Sequence, residues 1–144
     1  MRQIVRRILP ALVLVAVATG ADAALFSKTY EFKANTALKV GTEIQEGLRL
    51  DAIEFVIPGA GTPTSTFGGP KVKVTISNLG KTSVTVAIAI AVLNADGHLV
   101  GVASGGTKLF PLRAERQMDY TLDFGGVNGE LANGTTFHLS IEPK

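Results

Sequence analysis

Few residues in this 144-residue sequence are of types that carry out chemistry, and their spacing argues against a shared site. The sequence has two histidines, His98 and His138, and no cysteine. A zinc centre needs several convergent His, Cys, Asp or Glu ligands, and the two histidines fall on different predicted strands. Without cysteine, a thiolate nucleophile, a cysteine-ligated metal and a disulfide framework are all excluded. We therefore expect no metal site, no cofactor and two solvent-exposed histidines.

Two short stretches match catalytic or metal-binding motifs only in part. The sequence N-A-D-G at 94–97 resembles a fragment of a calcium loop, but Ala103 stands where that loop needs its bidentate glutamate. A hairpin turn is the better interpretation, since Gly97 can adopt a positive φ. Ser104 lacks the first glycine of the G-x-S-x-G nucleophile motif, because Val102 occupies that position.

A pair of carboxylates such as Asp119 and Asp123 could do acid–base work. These residues alternate with apolar residues along one segment, however, which is typical of the solvated side of a strand. Lys71 and Lys73 supply opposite charges with which the two aspartates can pair. We therefore predict that the protein is not an enzyme, because no nucleophile, base or metal-ligand set is indicated by these patterns.

The longest apolar stretch, V-T-V-A-I-A-I-A-V-L at 84–93, indicates the type of secondary structure. Large β-branched residues at the even positions alternate with Thr85, Ala87, Ala89 and Ala91. A repeat of two residues is the signature of a strand, and β-branched side chains suit a pleated surface. The stretch is also too short for a membrane helix, which needs about 20 residues. We therefore predict a strand with its wide face in the core.

The same alternation recurs along the chain and predicts about seven short strands. Turn-forming Gly, Asn, Asp and Pro separate them, with no convincing helical repeat between them. This spacing is typical of an all-β fold, an immunoglobulin-like two-sheet antiparallel sandwich, which we assign to residues 48–144. Residues 24–47 are less regular and are expected to form an N-terminal extension. The predicted strands cover 48–57, 71–76, 84–93, 98–103, 109–111, 118–124 and 137–141.

Residues 1–23 have the pattern of a secretory signal peptide. Three arginines form a basic start, residues 8–18 are an apolar run interrupted by Pro10, and small residues precede a cleavage site after Ala23. The run is too short for a spanning helix, so a retained N-terminal anchor is the weaker alternative. Since no cysteine is available for a lipoprotein anchor, we expect a periplasmic or secreted bacterial protein with no stable membrane anchor after cleavage.

The charge balance argues against nucleic-acid binding. The full chain has 14 Lys and Arg against 12 Asp and Glu, a formal net charge of +2. The predicted signal peptide contains three of the arginines and one aspartate, so the mature chain keeps 11 residues of each sign. Nucleic-acid binding depends on a dense basic patch, which a neutral chain of mixed charges does not indicate.

Within residues 71–124 the elements follow one order: a strand, an Asn-x-Gly turn, a long strand, an Asp-Gly turn and a strand after a Pro/Leu-rich corner. The stretches that carry this order are V-K-V-T-I-S-N-L-G-K, A-V-L-N-A-D-G-H-L-V-G and L-F-P-L-R-A-E-R-Q-M-D-Y-T-L-D-F. The order resembles the bacterial extracytoplasmic FxLyD-type immunoglobulin-like domain. Ala91 and Asn94 stand where that family has aromatic and acidic residues, and its usual Pro-Gly before Met118 is missing. The resemblance implies a β-sandwich fold and brings no catalytic residue with it.

The strongest indication of function is a strip of alanines on the predicted strand at 84–93. Ala87, Ala89 and Ala91 form a smooth, uncharged strip on its outer side, where a strand facing water normally has polar residues. Something is expected to cover this strip: first the N-terminal extension, next a partner protein or a second copy, and then a small apolar ligand. The residues available in the extension are Tyr30, Phe32, Leu38 and Val40.

These observations together predict an exported, non-catalytic binding or protein-interaction module of the cell envelope or medium. The candidate contact residues are Ala87, Ala89 and Ala91, and the expected partner is a cell-envelope protein or the protein itself. The alternative is a carrier of a small apolar ligand, held between the sheets or under the strip. No nucleic acid, metal or cofactor is expected.

Overall fold

Segments of alternating large and small or polar residues form eight strands in the computed structural model, which describes residues 25–59, 68–125 and 130–144. They are β1 (Phe26–Glu31), β2 (Ala37–Gln45), β3 (Leu48–Val56), β4 (Lys71–Asn78), β5 (Val86–Asn94), β6 (Leu99–Gly106), β7 (Arg116–Asp123) and β8 (Gly134–Pro143), with a 3₁₀ turn at Leu131–Asn133. One antiparallel sheet, the β5 sheet, has the order β1-β8-β5-β6, and the other, the β4 sheet, has the order β2-β3-β4-β7. The all-β, two-sheet sandwich predicted from the sequence is confirmed. The predicted signal peptide lies outside the described residues.

Strand β5 has the two-residue period that its sequence predicts. Ile88 and Ile90 are 2% and 1% exposed and face the core, whereas Ala87 and Ala89 are exposed on the other side. The strand pairs with β8 on one side and with β6 on the other. Because both of its edges are hydrogen-bonded, its outward side chains lie in the middle of a sheet face.

The N-terminal segment 24–47 forms β1 and β2, one in each sheet, where the sequence indicated a less regular extension. β1 pairs with β8 along its whole length. β2 pairs with β3 through two shifts of register, after Lys39 and after Glu43. Each shift breaks the alternation of inward and outward residues. The sequence of β2 therefore lacks the regular two-residue period by which a strand is recognised.

The four apolar side chains that we expected to cover the alanine strip pack between the sheets instead. Phe32 meets Phe55 at a ring-centroid distance of 4.6 Å, and Tyr30 stacks on Phe137 at 5.4 Å. The remaining two, from β2, are half-buried against the same core. Aromatic rings bury far more apolar surface in such a cluster than against alanine methyl groups, and this favours the inward packing. The expectation that these residues cover the strip is wrong.

The short strand expected at 109–111 does not form. Leu109 and Phe110 are 87% and 70% exposed. Only the next residue, Leu112, bonds to the sheet region, by an isolated bridge to Val84 with N···O distances of 2.8 and 3.0 Å. Pro111 has no N–H to donate, so this segment cannot continue a ladder of hydrogen bonds.

Glycines let β6 lie close to β7 and to the 3₁₀ turn. A Cβ atom on Gly101 would lie 2.5 Å from Leu131 Cδ1, and one on Gly105 would lie 3.2 Å from Leu122 Cγ. The first distance leaves no room for a side chain unless Leu131 moves. The sandwich is therefore closed on the β6 side, whereas a cleft remains between the sheets on the β1 side.

Across residues 25–59, 68–125 and 130–144, no helix has the length and apolar character that a membrane span requires.

Candidate functional site

The alanine strip lies in the middle of the outer face of the β5 sheet. The strand register places two rows of mostly small residues side by side across all four strands. One row contains Ser27, Ser140, Ala89 and Ser104, and the next contains Thr29, His138, Ala91 and Val102. With Ala87, these residues form what we call the small-residue face. Neighbouring strands are about 4.8 Å apart, so the face is about 14 Å wide.

All three predicted contact residues lie on this face. Ala87 and Ala89 are exposed, and Ala91 is half-buried between its neighbours on β6 and β8. Their role in binding a partner stays a prediction. A shallow depression above the strip is bordered by Leu25, Ala87, Ala89, Ser104, Ser140 and Glu142.

Neither row of the small-residue face contains a carboxylate, an ammonium or a guanidinium group. Charged side chains stand only at its two ends, where they form local ion pairs. Glu31 lies 3.3 Å from Lys33, and Glu142 lies 3.5 Å from Lys144. Covering the two rows would therefore remove no carboxylate, ammonium or guanidinium group from water, and removing such a group is the most costly part of burying a protein surface.

The outer face of the β4 sheet is charged, in contrast. Lys73 lies 3.0 Å from Glu54, and Lys71 lies 3.5 Å from Asp123. The hydrogen bond and charge of the Glu54 carboxylate raise the pKa of the Lys73 ammonium group. The two sheets thus present opposite kinds of surface to the solvent.

A hydrogen-bonded network around Asp51 crosses three strands of this charged face. Arg49 Nε donates to one carboxylate oxygen at 2.6 Å, and Gln117 Nε2 donates to the other at 2.9 Å, together with the Ser77 hydroxyl. Partial burial opposes ionisation of Asp51, but these hydrogen bonds and the Arg49 charge outweigh it and lower the pKa of the carboxyl. The network ties β3, β4 and β7 together.

The two aspartates considered for acid–base chemistry lie on the same charged face. Asp119 accepts a hydrogen bond from the Thr75 hydroxyl at 2.7 Å, and Asp123 forms the ion pair with Lys71. Each carboxylate has its own partner on β4. This arrangement is that of a solvated strand face.

On the small-residue face, His138 is hydrogen-bonded to two hydroxyl groups of β1. Ser27 Oγ lies 2.7 Å from its Nε2, and Thr29 Oγ1 lies 3.0 Å from its Nδ1. A neutral imidazole donates at one nitrogen and accepts at the other, so both contacts can be satisfied together. In a Ser-His-Asp triad the second nitrogen faces a carboxylate that stabilises the imidazolium, and a threonine hydroxyl supplies no such charge. The cluster offers hydrogen-bonding groups beside the alanines.

The sequence did not indicate the contact between Ser27 and His138, which are 111 residues apart. Only the pairing of β1 with β8 brings them together. His98 is separate, since it precedes β6 and lies in a hairpin turn. There Asn94 Oδ1 accepts hydrogen bonds from the N–H groups of Asp96 and His98 at 3.0 and 2.9 Å. In the part of the chain that the structure describes, no group of three or more His, Cys, Asp or Glu could hold a metal ion.

The cleft on the β1 side is a second concave site. It has a volume of about 270 Å³ and lies between β1 and β2, above the aromatic core. Its floor is apolar, and charged side chains stand at its rim. The floor consists of Leu38, Ile53, Phe55 and Phe137, and the rim includes Glu31, Lys33 and Lys39.

Comparison with known proteins gives no relative: no protein-family model matches this chain, and no curated protein matches it.

Proposed function

We propose that this protein is an exported, non-catalytic binding module that contacts a partner protein of the cell envelope or medium through the small-residue face. The observation that carries the proposal is the contrast between the two outer faces. One carries ion pairs, as expected for a surface that faces water. The other has two rows of residues across four strands with no carboxylate, ammonium or guanidinium group. A water-facing sheet normally alternates apolar inward and polar outward residues, and β5 does not.

The composition of the face suits a protein interface. Fully buried interface centres are depleted in charged residues, and polar groups surround them at the rim. The alanines lie at the centre, and the ion pairs Glu31–Lys33 and Glu142–Lys144 lie at the ends. The hydroxyl groups of Ser27 and Ser104 are exposed and available to orient a partner by hydrogen bonds.

The remaining support comes from the sequence. The signal-like residues 1–23 favour export, and the resemblance of residues 71–124 to the FxLyD-type module favours an extracytoplasmic role. A sandwich of this kind acts through the surface that it presents, so the functional assignment depends on the face and not on the fold.

The test is to introduce a lysine on the face and a matched lysine on the opposite face. Ala89→Lys places a charge at the centre of the strip. Ala52→Lys is the control, because Ala52 lies on β3 and shares its outward side with Glu54. Both proteins are expressed as the full chain in the native host, purified from the exported fraction and analysed by native mass spectrometry and circular dichroism.

We expect the wild-type protein and Ala52→Lys to carry the same bound protein, and Ala89→Lys to lose it while it keeps the β-sheet spectrum. If Ala89→Lys retains the partner in equal amount, the face is not the contact. A wild-type protein that never carries a partner also contradicts the proposal.

A carrier of a small apolar ligand is the second candidate, and the cleft of about 270 Å³ favours it. This volume is near the lower end for ligand pockets, so it suits a small molecule. A carrier would show a discrete extra mass of a few hundred daltons in the same spectra. Leu38→Glu on the cleft floor should then abolish the extra mass, whereas Ala89→Lys should retain it.

A further inference from the structure

Strand β6 forms an edge of the β5 sheet that, from Gly101 to Gly106, lacks the usual protection against pairing with another strand. Its sequence, L-V-G-V-A-S-G-G, contains no charged residue and no proline, and its register shift, at Val100, lies near its start. Natural edge strands normally carry charges, prolines or bulges that block contact with a further strand. The other three sheet edges in the described part of the chain do carry charges. These are Lys28 and Glu31 on β1, Lys39 and Glu43 on β2, and Arg116, Asp119 and Asp123 on β7.

The hydrogen-bonding pattern shows which backbone groups of β6 are free. Thr85 and Lys144 exchange hydrogen bonds at 2.8 and 3.0 Å, so the odd-numbered residues of β5 bond to β8. The Thr107 N–H bonds to the Val86 carbonyl at 2.9 Å, so the even-numbered residues bond toward β6. Since antiparallel bonding alternates, the N–H and C=O groups of Val102 and Ser104 point away from β5.

The side chains along this edge are apolar or small. Val102 is 51% exposed and Leu99 is 58% exposed. Glycine at the inward positions 101 and 105 lets the backbone of β6 lie close to Leu131 and Leu122. A neutral, half-apolar edge whose outward backbone groups have no partner among the described residues is a ready template for a further strand.

We propose that β6 pairs with β6 of a second copy of this chain, antiparallel about a two-fold axis. A neutral strand is matched by a neutral strand, and among the described edges only β6 is neutral. When Val102 lies opposite Val102 or Ser104 of the second copy, the outward N–H and C=O groups of the two β6 strands can hydrogen-bond to each other. The product is an eight-stranded sheet that ends in two charged β1 edges. The interface is isologous, so it closes at the dimer and does not propagate into fibres.

This inference concerns the edge of the sheet and not its outer face, although Val102 and Ser104 belong to both. The edge contact joins the two β5 sheets side by side, so the small-residue faces of both copies form one continuous surface. Ala89 lies on β5, one strand away from the edge, and its substitution should leave the dimer intact. Loss of dimerisation and loss of the partner are therefore separate results.

The first test is the mass of the full-chain protein in solution, measured by analytical ultracentrifugation over a range of concentrations. The wild type should be a dimer that dissociates on dilution. Val102→Lys places two like charges across the axis and should weaken the dimer about tenfold. Thr29→Lys is the control, because Thr29 is exposed on β1 at the other edge of the same sheet. It should leave the dimer unchanged.

The second test uses the wild-type protein alone and does not depend on any variant. Hydrogen exchange of the Val102 and Ser104 amides should be slow at high concentration, where the dimer forms, and fast on dilution. A protein that is monomeric at all soluble concentrations overturns the inference. So does a dimer in which these two amides stay unprotected, since the contact would then lie on the sheet face.

Discussion

Replacing Asn78 by alanine is expected to lower the free energy of unfolding by about 2 kcal/mol. Asn78 ends β4 and is 2% exposed. Its Nδ2 group donates to the Thr82 carbonyl at 2.8 Å and to the Leu112 carbonyl at 3.0 Å, and its Oδ1 accepts from the Gly80 N–H at 3.0 Å. One side chain therefore joins the turn before β5 to the segment before β7.

The magnitude follows from the burial of the three partners. In Asn78→Ala, the Thr82 and Leu112 carbonyls and the Gly80 N–H lose their hydrogen bonds to the asparagine side chain. The bond to Leu112 is buried, whereas the bonds to Thr82 and Gly80 are part-buried, so water can replace part of what is lost there. The Leu112 carbonyl keeps its hydrogen bond from the Val84 N–H at 3.0 Å, so it is not left unsatisfied. About 1 kcal/mol for the lost buried bond and about 0.5 for each of the others give an estimate of about 2.

The assay is urea unfolding followed by far-ultraviolet circular dichroism. With a slope of about 1.5 kcal/mol per molar urea, the midpoint should fall by about 1.3 M with no change in slope. Asn94→Ala is the matched control. Asn94 Oδ1 accepts two backbone hydrogen bonds, but both lie in an exposed turn where water can replace it. Its loss should cost less than about 1 kcal/mol.

Equal losses in the two variants would refute the reasoning that burial sets the cost of the lost hydrogen bonds. A larger loss in Asn94→Ala would refute it more strongly. A changed slope in Asn78→Ala would show that the substitution alters the folded or unfolded ensemble as well, and the midpoint alone would then not measure the lost bonds.

Three further predictions concern the stability of the sandwich. Gly106→Ala should lower the free energy of unfolding in urea by about 3 kcal/mol or more, because the φ of Gly106 is +135° and a Cβ atom would lie 2.0 Å from the Val86 carbonyl oxygen. A loss below about 1 kcal/mol would contradict that close approach. Tyr120→Phe should stabilise the protein by about 1 kcal/mol. Burial raises the pKa of the Tyr120 hydroxyl, which has no hydrogen-bond partner within the described residues, so a loss of stability would show that it is bonded. Asp51→Asn should flatten the pH dependence of stability in the acid range. The pKa of Asp51 is lowered below 3.8 in the folded protein, so its ionised form stabilises the fold above about pH 4 and the contribution is lost as pH falls through the folded pKa. Parallel stability curves for the wild type and Asp51→Asn between neutral and acid pH would contradict this.

Local sequence patterns determined the strands in which every second residue faces the core. β5 is the clearest case, since Ile88 and Ile90 are buried while Ala87 and Ala89 are exposed. The alternation of inward and outward residues depends only on strand geometry, so it can be read without knowing the neighbours. The sandwich class and the outward direction of the alanines were predictable for this reason.

The same method did not assign β1, left 36–40 open between a strand and a helical turn where β2 forms, and predicted a strand at 109–111 that does not form. In β2, register shifts after Lys39 and Glu43 break the alternation, and these shifts depend on how β2 meets β3. Near Leu112, two apolar residues looked like a strand, but a ladder also needs N–H donors and a neighbouring edge. Pro111 removes a donor within the segment itself, whereas the neighbouring edge depends on a partner strand, which the local sequence does not contain.

The sequence by itself determined that the chain forms β-strands, that alanines line one side of the longest strand, and that neither a disulfide nor a cysteine-ligated metal is available. Only the tertiary structure decided where those strands pair. That pairing placed Ser27 beside His138, sent Phe32 into the core in place of the strip, and made β6 an edge. The physical reason is that side-chain periodicity is a local property. The choice of neighbour depends instead on burial and hydrogen bonding summed over residues far apart in the chain.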